Sequence, residues 1–312
     1  MEAENFDKIS HELHERLYDG EKQARLSETW KRSDTVDAWR HERMYRCLDP
    51  LLAHFPGANW MTVGDGRYGT DAHYLETKKA NAVATDIADT MLRKAKEDGY
   101  IREYKKENAE RLSFADNSFD FALCKEAYHH FPRPMLALYE LLRVAKTAVV
   151  LIEPDESPIV MNTAHVLKMA VKETLIRIGL GRFFRDRNTH IIDTGANWYE
   201  EVGNFGFSIS RREIERVALG LNYPHVAFRG ISDSYIEGVE NETAKPGSPL
   251  MQRIETEIAG QDRIAARGLS RGRPKLVVAM IFKTALDAKV RAALQAADFE
   301  VRDLPRNPYA GR

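Results

Sequence analysis

The stretch Asn59-Trp60-Met61-Thr62-Val63-Gly64-Asp65-Gly66-Arg67-Tyr68-Gly69-Thr70-Asp71 decides how this chain is read. A short apolar run (Trp60, Met61, Val63) leads into Gly64-Asp65-Gly66-Arg67-Tyr68-Gly69, and the pattern beyond it can open a helix. Strand, tight turn and helix start thus follow one another. Gly64 and Gly66 let the backbone turn sharply and leave room for a ligand above it. The helix N-terminus offers unpaired N–H groups and the positive end of a dipole. Read literally, the pattern is G-x-G-x-x-G, the dinucleotide fingerprint, which alone is a weak signal.

A second half of the signal lies downstream. Ala82-Val83-Ala84-Thr85 is another apolar run, and it ends in Asp86. An acid about 20 residues past the glycines can accept hydrogen bonds from both hydroxyls of a ribose. The competing reading makes Asp86 the N-cap of a helix that begins at Ala88. The order of strand, glycine turn, helix and strand-end acid favours ribose.

Strand-like runs at 59–64, 81–86, 101–106, 119–125 and 147–153 alternate with helical patterns that run to 77, over 88–98 and over 134–145. Such alternation predicts a parallel sheet with helices on both faces. Phe119-Asp120-Phe121-Ala122-Leu123-Cys124 and Ala148-Val149-Val150-Leu151-Ile152 are almost wholly apolar, as strands covered on both faces are. Ligands bind such sheets at the C-terminal strand ends, where strand order reverses. Asn108-Ala109-Glu110-Arg111-Leu112 and Lys125-Glu126-Ala127-Tyr128-His129-His130-Phe131-Pro132 fall at those ends.

The block NAERLSFADNSFDFALCKEAYHHFPRP (108–134), followed by ELLRVAKTAVVLIEP (140–154), resembles the second half of a class I S-adenosylmethionine-dependent methyltransferase domain of the small-molecule branch. The resemblance covers about residues 58–154 well and the strands near 224–230 and 275–283 loosely. It implies a Rossmann-like, doubly wound α/β sheet, mostly parallel with an antiparallel edge strand. It also implies S-adenosylmethionine as cofactor. Gly64, Asp65 and Gly66 would form the turn beneath its methionine part, and Asp86 would hold the ribose. Ile87 would pack on the adenine, Asn108 and the Ala109 backbone would meet its edge, and Lys125 would face the methionine part. Two positions depart from the family pattern. Thr62 stands where an acidic residue is usual, and Tyr68 stands where a third glycine is usual.

Outside the core, residues 1–57 read as a helical cap, with breaks at Gly20 and Ser33-Asp34. Trp39-Arg40-His41-Glu42-Arg43 is either a solvated helix face or a source of an arginine that reaches the cleft. The core domain comprises 58–154 and 206–284, and 155–205 is a helical insertion that caps the substrate. Within it, Arg182-Phe183-Phe184-Arg185-Asp186-Arg187 and Asn197-Trp198-Tyr199 can bind an acidic or sugar-like group or simply pack. Ser210 and Glu213 have capping-box spacing for a helix to about Leu221. Residues 240–274 read as Gly, Pro and charge, then an amphipathic helix and Arg271-Gly272-Arg273-Pro274, and the segment is expected to be exposed and mobile. Residues 285–312 are expected to be a helix and a tail that docks on the body or on a second copy.

Composition narrows the function. The chain has 46 basic and 47 acidic residues and no polybasic tail, so no nucleic acid or anionic membrane is demanded as a partner. Cys47 and Cys124 read as packed thiols in a cytoplasmic chain, and no His/Cys cluster has zinc spacing, so no metal is expected. The charged N-terminus reads against a signal peptide, and no apolar run approaches the ~20 residues of a membrane span.

Methyl transfer from a sulfonium needs alignment and a water-poor site. A hydroxyl acceptor also gains from a general base, which points to His129 or His130, with Glu126 and Asp193 as weaker choices. The expected function is therefore O-methylation of a small molecule or a sugar or glycan hydroxyl. One alternative is an NAD(P)-dependent oxidoreductase, from the literal glycine pattern, although the NSFD-to-HHF block argues against it. The other is a catalytically silent cofactor-binding subunit, kept open by Thr62 and Tyr68.

Overall fold

The computed structural model describes residues 3–18, 27, 29–155, 171, 174–175, 206–266 and 274–310. Among these, eight strands form one sheet: β1 (Asn59–Val63), β2 (Asn81–Asp86), β3 (Glu103–Lys106), β4 (Phe119–Lys125), β5 (Ala145–Pro154), β6 (His225–Ile231), β7 (Leu276–Phe282) and β8 (Glu300–Asp303). Their order is β3-β2-β1-β4-β5-β7-β6-β8. The first five run parallel. β7 lies antiparallel to β5 and β6, and β8 antiparallel to β6. The fold is thus Rossmann-like and mostly parallel, with an antiparallel edge.

Strand alternation sends side chains to opposite faces of the sheet. Along β4, Phe121 and Leu123 join one apolar cluster, and Ala122 and Cys124 join the other. Helices α1 (Ala3–Tyr18), α2 (Val36–Tyr45), α3 (Asp49–His54), α4 (Thr70–Thr77), α5 (Thr90–Glu97), α6 (Pro134–Val144), α7 (Arg211–Gly220), α8 (Pro249–Ala266) and α9 (Ala288–Ala296) surround the sheet. Met44, Leu51, Leu75, Leu92 and Leu294 bring α2, α3, α4, α5 and α9 onto the first face. Leu138, Leu141, Ile214 and Ala218 bring α6 and α7 onto the second. Both cysteines are buried free thiols.

Four expectations are corrected. The C-terminal segment is more than a helix and tail, because β8 pairs with His225 to Phe228 of β6 and becomes the sheet edge. Glu300-Val301-Arg302-Asp303 is short and charged, which suits an exposed edge and hides a strand from apolar patterning. Ser210 occupies the N-cap of α7, but its side chain makes no capping bond. Backbone bonds from Glu213 and Ile214 to the Ser210 carbonyl close that turn instead. Residues 240–266 are not a loose segment: Ile254 and Ile258 of α8 pack with Val239 and with Val36 of α2. Their helical spacing outweighs the nearby Gly, Pro and charge.

Arg40 neither faces solvent nor reaches the cleft. It is buried, donating to Asp37 Oδ1 at 2.9 Å and, through two nitrogens, to Asp233. That fork ties α2 to the segment after β6. The expected insertion helix lies outside the described residues save for 171, 174 and 175, as do Gly20, 182–187, Asp193, 197–199 and 271–273.

Removing one partner of a buried pair leaves an uncompensated charge. Arg40→Met is therefore expected to cost about 3–5 kcal/mol in urea unfolding, because it orphans Asp233. Arg40→Met with Asp233→Leu should recover most of that loss.

Candidate active site

Strand order reverses between β1 and β4, so the turns leaving their C-terminal ends diverge and open a crevice. The turns touch at its base. Gly64 has φ +74°, and a Cβ there would lie 2.1 Å from the Ala127 Cβ. Only glycine fits that conformation and that contact.

The glycine turn is locked to β2. Gly66 N donates to Asp86 Oδ2 at 2.8 Å, and Ala88 N donates to Oδ1 at 2.8 Å. A Cβ on Gly66 would fall 2.8 Å from that Oδ2. Asp86 does not cap α5, since Asp89 holds the N-cap position. Burial pushes the Asp86 carboxyl up to about 6, against the pull of its backbone N–H partners.

The two departures from the family pattern have local explanations. Thr62 Oγ1 donates to Asp65 Oδ2 at 2.8 Å, so the acid stands three residues later. Asp65 also accepts from Asp71 N at 3.1 Å and Ala72 N at 2.9 Å, fastening the start of α4. Burial, then Asp71, holds the Asp65 carboxyl well above the usual range. Tyr68 keeps the left-handed conformation of a glycine, at φ 61°. Its buried ring lies 5.4 Å from Tyr100, and its hydroxyl donates to Asp98.

Two cavities open over these turns. The first, of about 620 Å³, is lined by Gly64, Asp86, Ile87, Asn108 and Ala109, and by His11 and His14 of α1. The second, of about 830 Å³, is lined by Gly64, Asp65, Arg67, Lys125, His129 and His130, among others. Gly64, Glu126 and His130 belong to both walls, so the cavities adjoin. Of the sequence-derived candidates, Asp86, Ile87, Asn108 and Ala109 line the first cavity alone, and Asp65, Lys125 and His129 line the second alone. Gly66 lies beneath the first, bonded to Asp86.

Lys125 is buried, with its Nζ 3.3 Å from Asp71 Oδ1 and 3.1 Å from His41 Nδ1. Burial works against its charge, but Asp71 and then Glu126 outweigh burial and raise it. Arg67 donates to His41 Nε2 at 2.6 Å and to Asp37. Burial, then the charges of Arg67, Lys125 and Arg40, push His41 well below its usual value, so the ring is neutral.

The turn after β4 hangs on Glu153, near the end of β5. Its Oε1 accepts from Ala127 N at 3.0 Å and Tyr128 N at 2.9 Å. His129 Nδ1 donates to Oε2 at 2.6 Å. The His129 and His130 rings lie 3.9 Å apart, and His14 lies 6.3 Å from His130. Glu126, beside them, has φ 50°. Reading the sequence missed Glu153, His41, Arg67, His11 and His14. For Glu153 a signal existed: it is the lone charge closing an apolar strand.

Residues 61–152 match a family described as a methyltransferase domain. The chain carries a class I S-adenosylmethionine-dependent methyltransferase domain. No curated protein matches the sequence. Solved structures similar to it include a SAM-dependent methyltransferase from Methanosarcina mazei, at 16% identity over 76% of this chain and 98% of that one, with a TM-score of 0.43. Another is magnesium protoporphyrin IX methyltransferase from Synechocystis PCC 6803 with bound SAM, at 15% identity over 51% and 83%, with a TM-score of 0.41. The methyltransferase match sets the nicotinamide reading aside.

The domain's cofactor is S-adenosylmethionine, and the first cavity suits it. Its wall offers the acid acceptor Asp86 above a glycine with no room for a side chain, an apolar Ile87 and an amide in Asn108.

The two glycines should respond differently to an added methyl. Gly64→Ala meets the Ala127 Cβ, which cannot move without its backbone, at positive φ and is expected to unfold the domain or cost several kcal/mol. Gly66→Ala meets only a carboxylate and is expected to cost about 1–3 kcal/mol in thermal unfolding, with the fold kept.

Proposed function

We propose that this chain O-methylates a hydroxyl of a small molecule or sugar, with a histidine of the Tyr128–His130 turn as general base. The observation that carries this reading is that both histidines line a cavity adjoining the Asp86 cleft. S-adenosylmethionine supplies an activated methyl when bound. Asp86 would accept from the ribose hydroxyls, Ile87 would cover the adenine, and Asn108 with the Ala109 backbone would meet its edge. Gly64, Asp65 and Lys125 would border its methionine end.

In the adjoining cavity a histidine would take the acceptor's proton at a ring nitrogen. A base near neutrality is effective there, worth typically ~10²–10⁴-fold. Support for a neutral acceptor comes from the cations of this wall, which already have acidic partners: Lys125 has Asp71 and Arg67 has Asp37. A carboxylate on the acceptor would compete with those acids.

Three measurements test the reading. Calorimetry should show binding of S-adenosylhomocysteine but not of NADH or NADPH, and loss of that binding in Asp86→Ala. Asp86 ionises near 6, and only the carboxylate accepts from both hydroxyls. Affinity should therefore fall about tenfold from pH 7 to pH 5, the direction in which Asp86 gains its proton. On a panel of alcohols, phenols and sugars, His129→Ala or His130→Ala should lower turnover by about 10²–10⁴-fold. Near-normal turnover in both variants would sink the base assignment.

A further inference from the structure

We propose that Glu153 and His129 form a carboxylate–imidazole dyad, in which Glu153 is the positioning residue that makes His129 the base. This rests on the histidine-base reading above. Glu153 is 0% exposed at the end of a strand that is apolar from Ala148 to Ile152. A carboxylate there is costly unless it is hydrogen-bonded. Both of its oxygens are used by the β4 turn, one by two backbone N–H groups and the other by the imidazole. The same acid therefore shapes the turn and aims the ring.

Two consequences follow for the chemistry. A proton fixed on Nδ1 leaves the lone pair on Nε2, the nitrogen on the far side of the ring from Glu153. When Nε2 takes the acceptor's proton, the new positive charge forms beside a carboxylate 2.6 Å from Nδ1, in a setting of low dielectric. The acceptor's O–H bond breaks and an Nε2–H bond forms. The electron pair left on oxygen makes the bond to the methyl carbon, while the carbon–sulfur pair returns to sulfur. The proton then leaves His129 for water.

Other groups line the same cavity as this ring. His130, Lys125 and Glu126 lie on or beside its own turn, Asp65, Arg67 and Asp71 come from the β1 turn and α4, and His41 comes from α2. Phe207 N holds the His129 carbonyl at 3.2 Å.

The test is ring-nitrogen NMR of the full chain labelled with 15N-histidine, with His129 assigned from His129→Ala. The parent protein should show neutral His129 as the Nδ1–H tautomer. The nearly isosteric Glu153→Gln should lower its titration midpoint by about one to two pH units and leave His130 in place. The acid limb of the pH–rate profile should move down by the same amount. Glu153→Asp should retain more of the shift than Glu153→Gln does. An Nε2–H tautomer in the parent, or unchanged His129 signals in Glu153→Gln, overturns the dyad even if His129→Ala abolishes turnover. A shifted His129 in Glu153→Gln together with full turnover in His129→Ala overturns the dyad as the base and leaves the histidine-base reading to His130.

Discussion

Buried carboxylates that accept backbone N–H groups hold the functional end of this sheet together. Asp86 takes the N–H of Gly66 and Ala88, Asp65 takes those of Asp71 and Ala72, Glu153 takes those of Ala127 and Tyr128, and Glu107 takes that of Ser113. Turns leave backbone donors with no strand or helix to satisfy them, and an unpaired buried donor is expensive. A charged acceptor makes a bond roughly twice as strong as a neutral one. Each acid closes a turn, and Asp86 and Glu153 each reach the turn of a different strand. The floor of the crevice is thus a single hydrogen-bonded unit rather than a set of independent loops.

Two of these acids oppose stability at neutral pH. Asp86 is raised to about 6, and Asp65 is held well above the usual range by burial and by Asp71. A carboxyl raised in the folded state contributes stability fully below its unfolded value of about 3.9, and that contribution is lost as pH rises through its folded value. The ionised site is therefore penalised where the enzyme would work. The compensation sits elsewhere, in the two apolar clusters on the faces of the sheet. Stability and function are divided along the strands, with packing in their middle and charge at their C-terminal ends.

What the sequence made legible follows the same division. The alternation of apolar strands and helices predicts β1 to β5, because period and length are local properties. The glycine turn, Asp86 and the histidine pair stood out because a motif concentrates them. The pairing of Glu153 with His129 spans 24 residues, and that of Arg40 with Asp233 spans 193. No spacing rule announces such contacts. Residues 39–43 read as a solvated face because burial of Arg40 depends on an acid beyond β6. β8 went unread because its one apolar residue, Val301, carries no alternation. The His11 and His14 contacts depend on where α1 lies, which its own sequence does not fix.

His41 shows how far the second cavity depends on these distant contacts. Its neutral ring carries one lone pair, yet Arg67 and Lys125 approach its two nitrogens at 2.6 and 3.1 Å. In either tautomer one nitrogen presents a proton to a cationic donor. The arrangement holds because each cation is also secured by an acid, Arg67 by Asp37 and Lys125 by Asp71. Asp71 in turn accepts from Tyr45 at 2.6 Å, and Asp37 accepts from Arg40. The chain of contacts runs from β4 through α4 and the β1 turn to α2, and ends at Asp233 beyond β6. A substitution at its far end, in contact with neither cavity, therefore bears on the wall where Lys125 and Arg67 stand. At the first cavity the key contact is more local, since Gly66 and Asp86 fix each other within 20 residues.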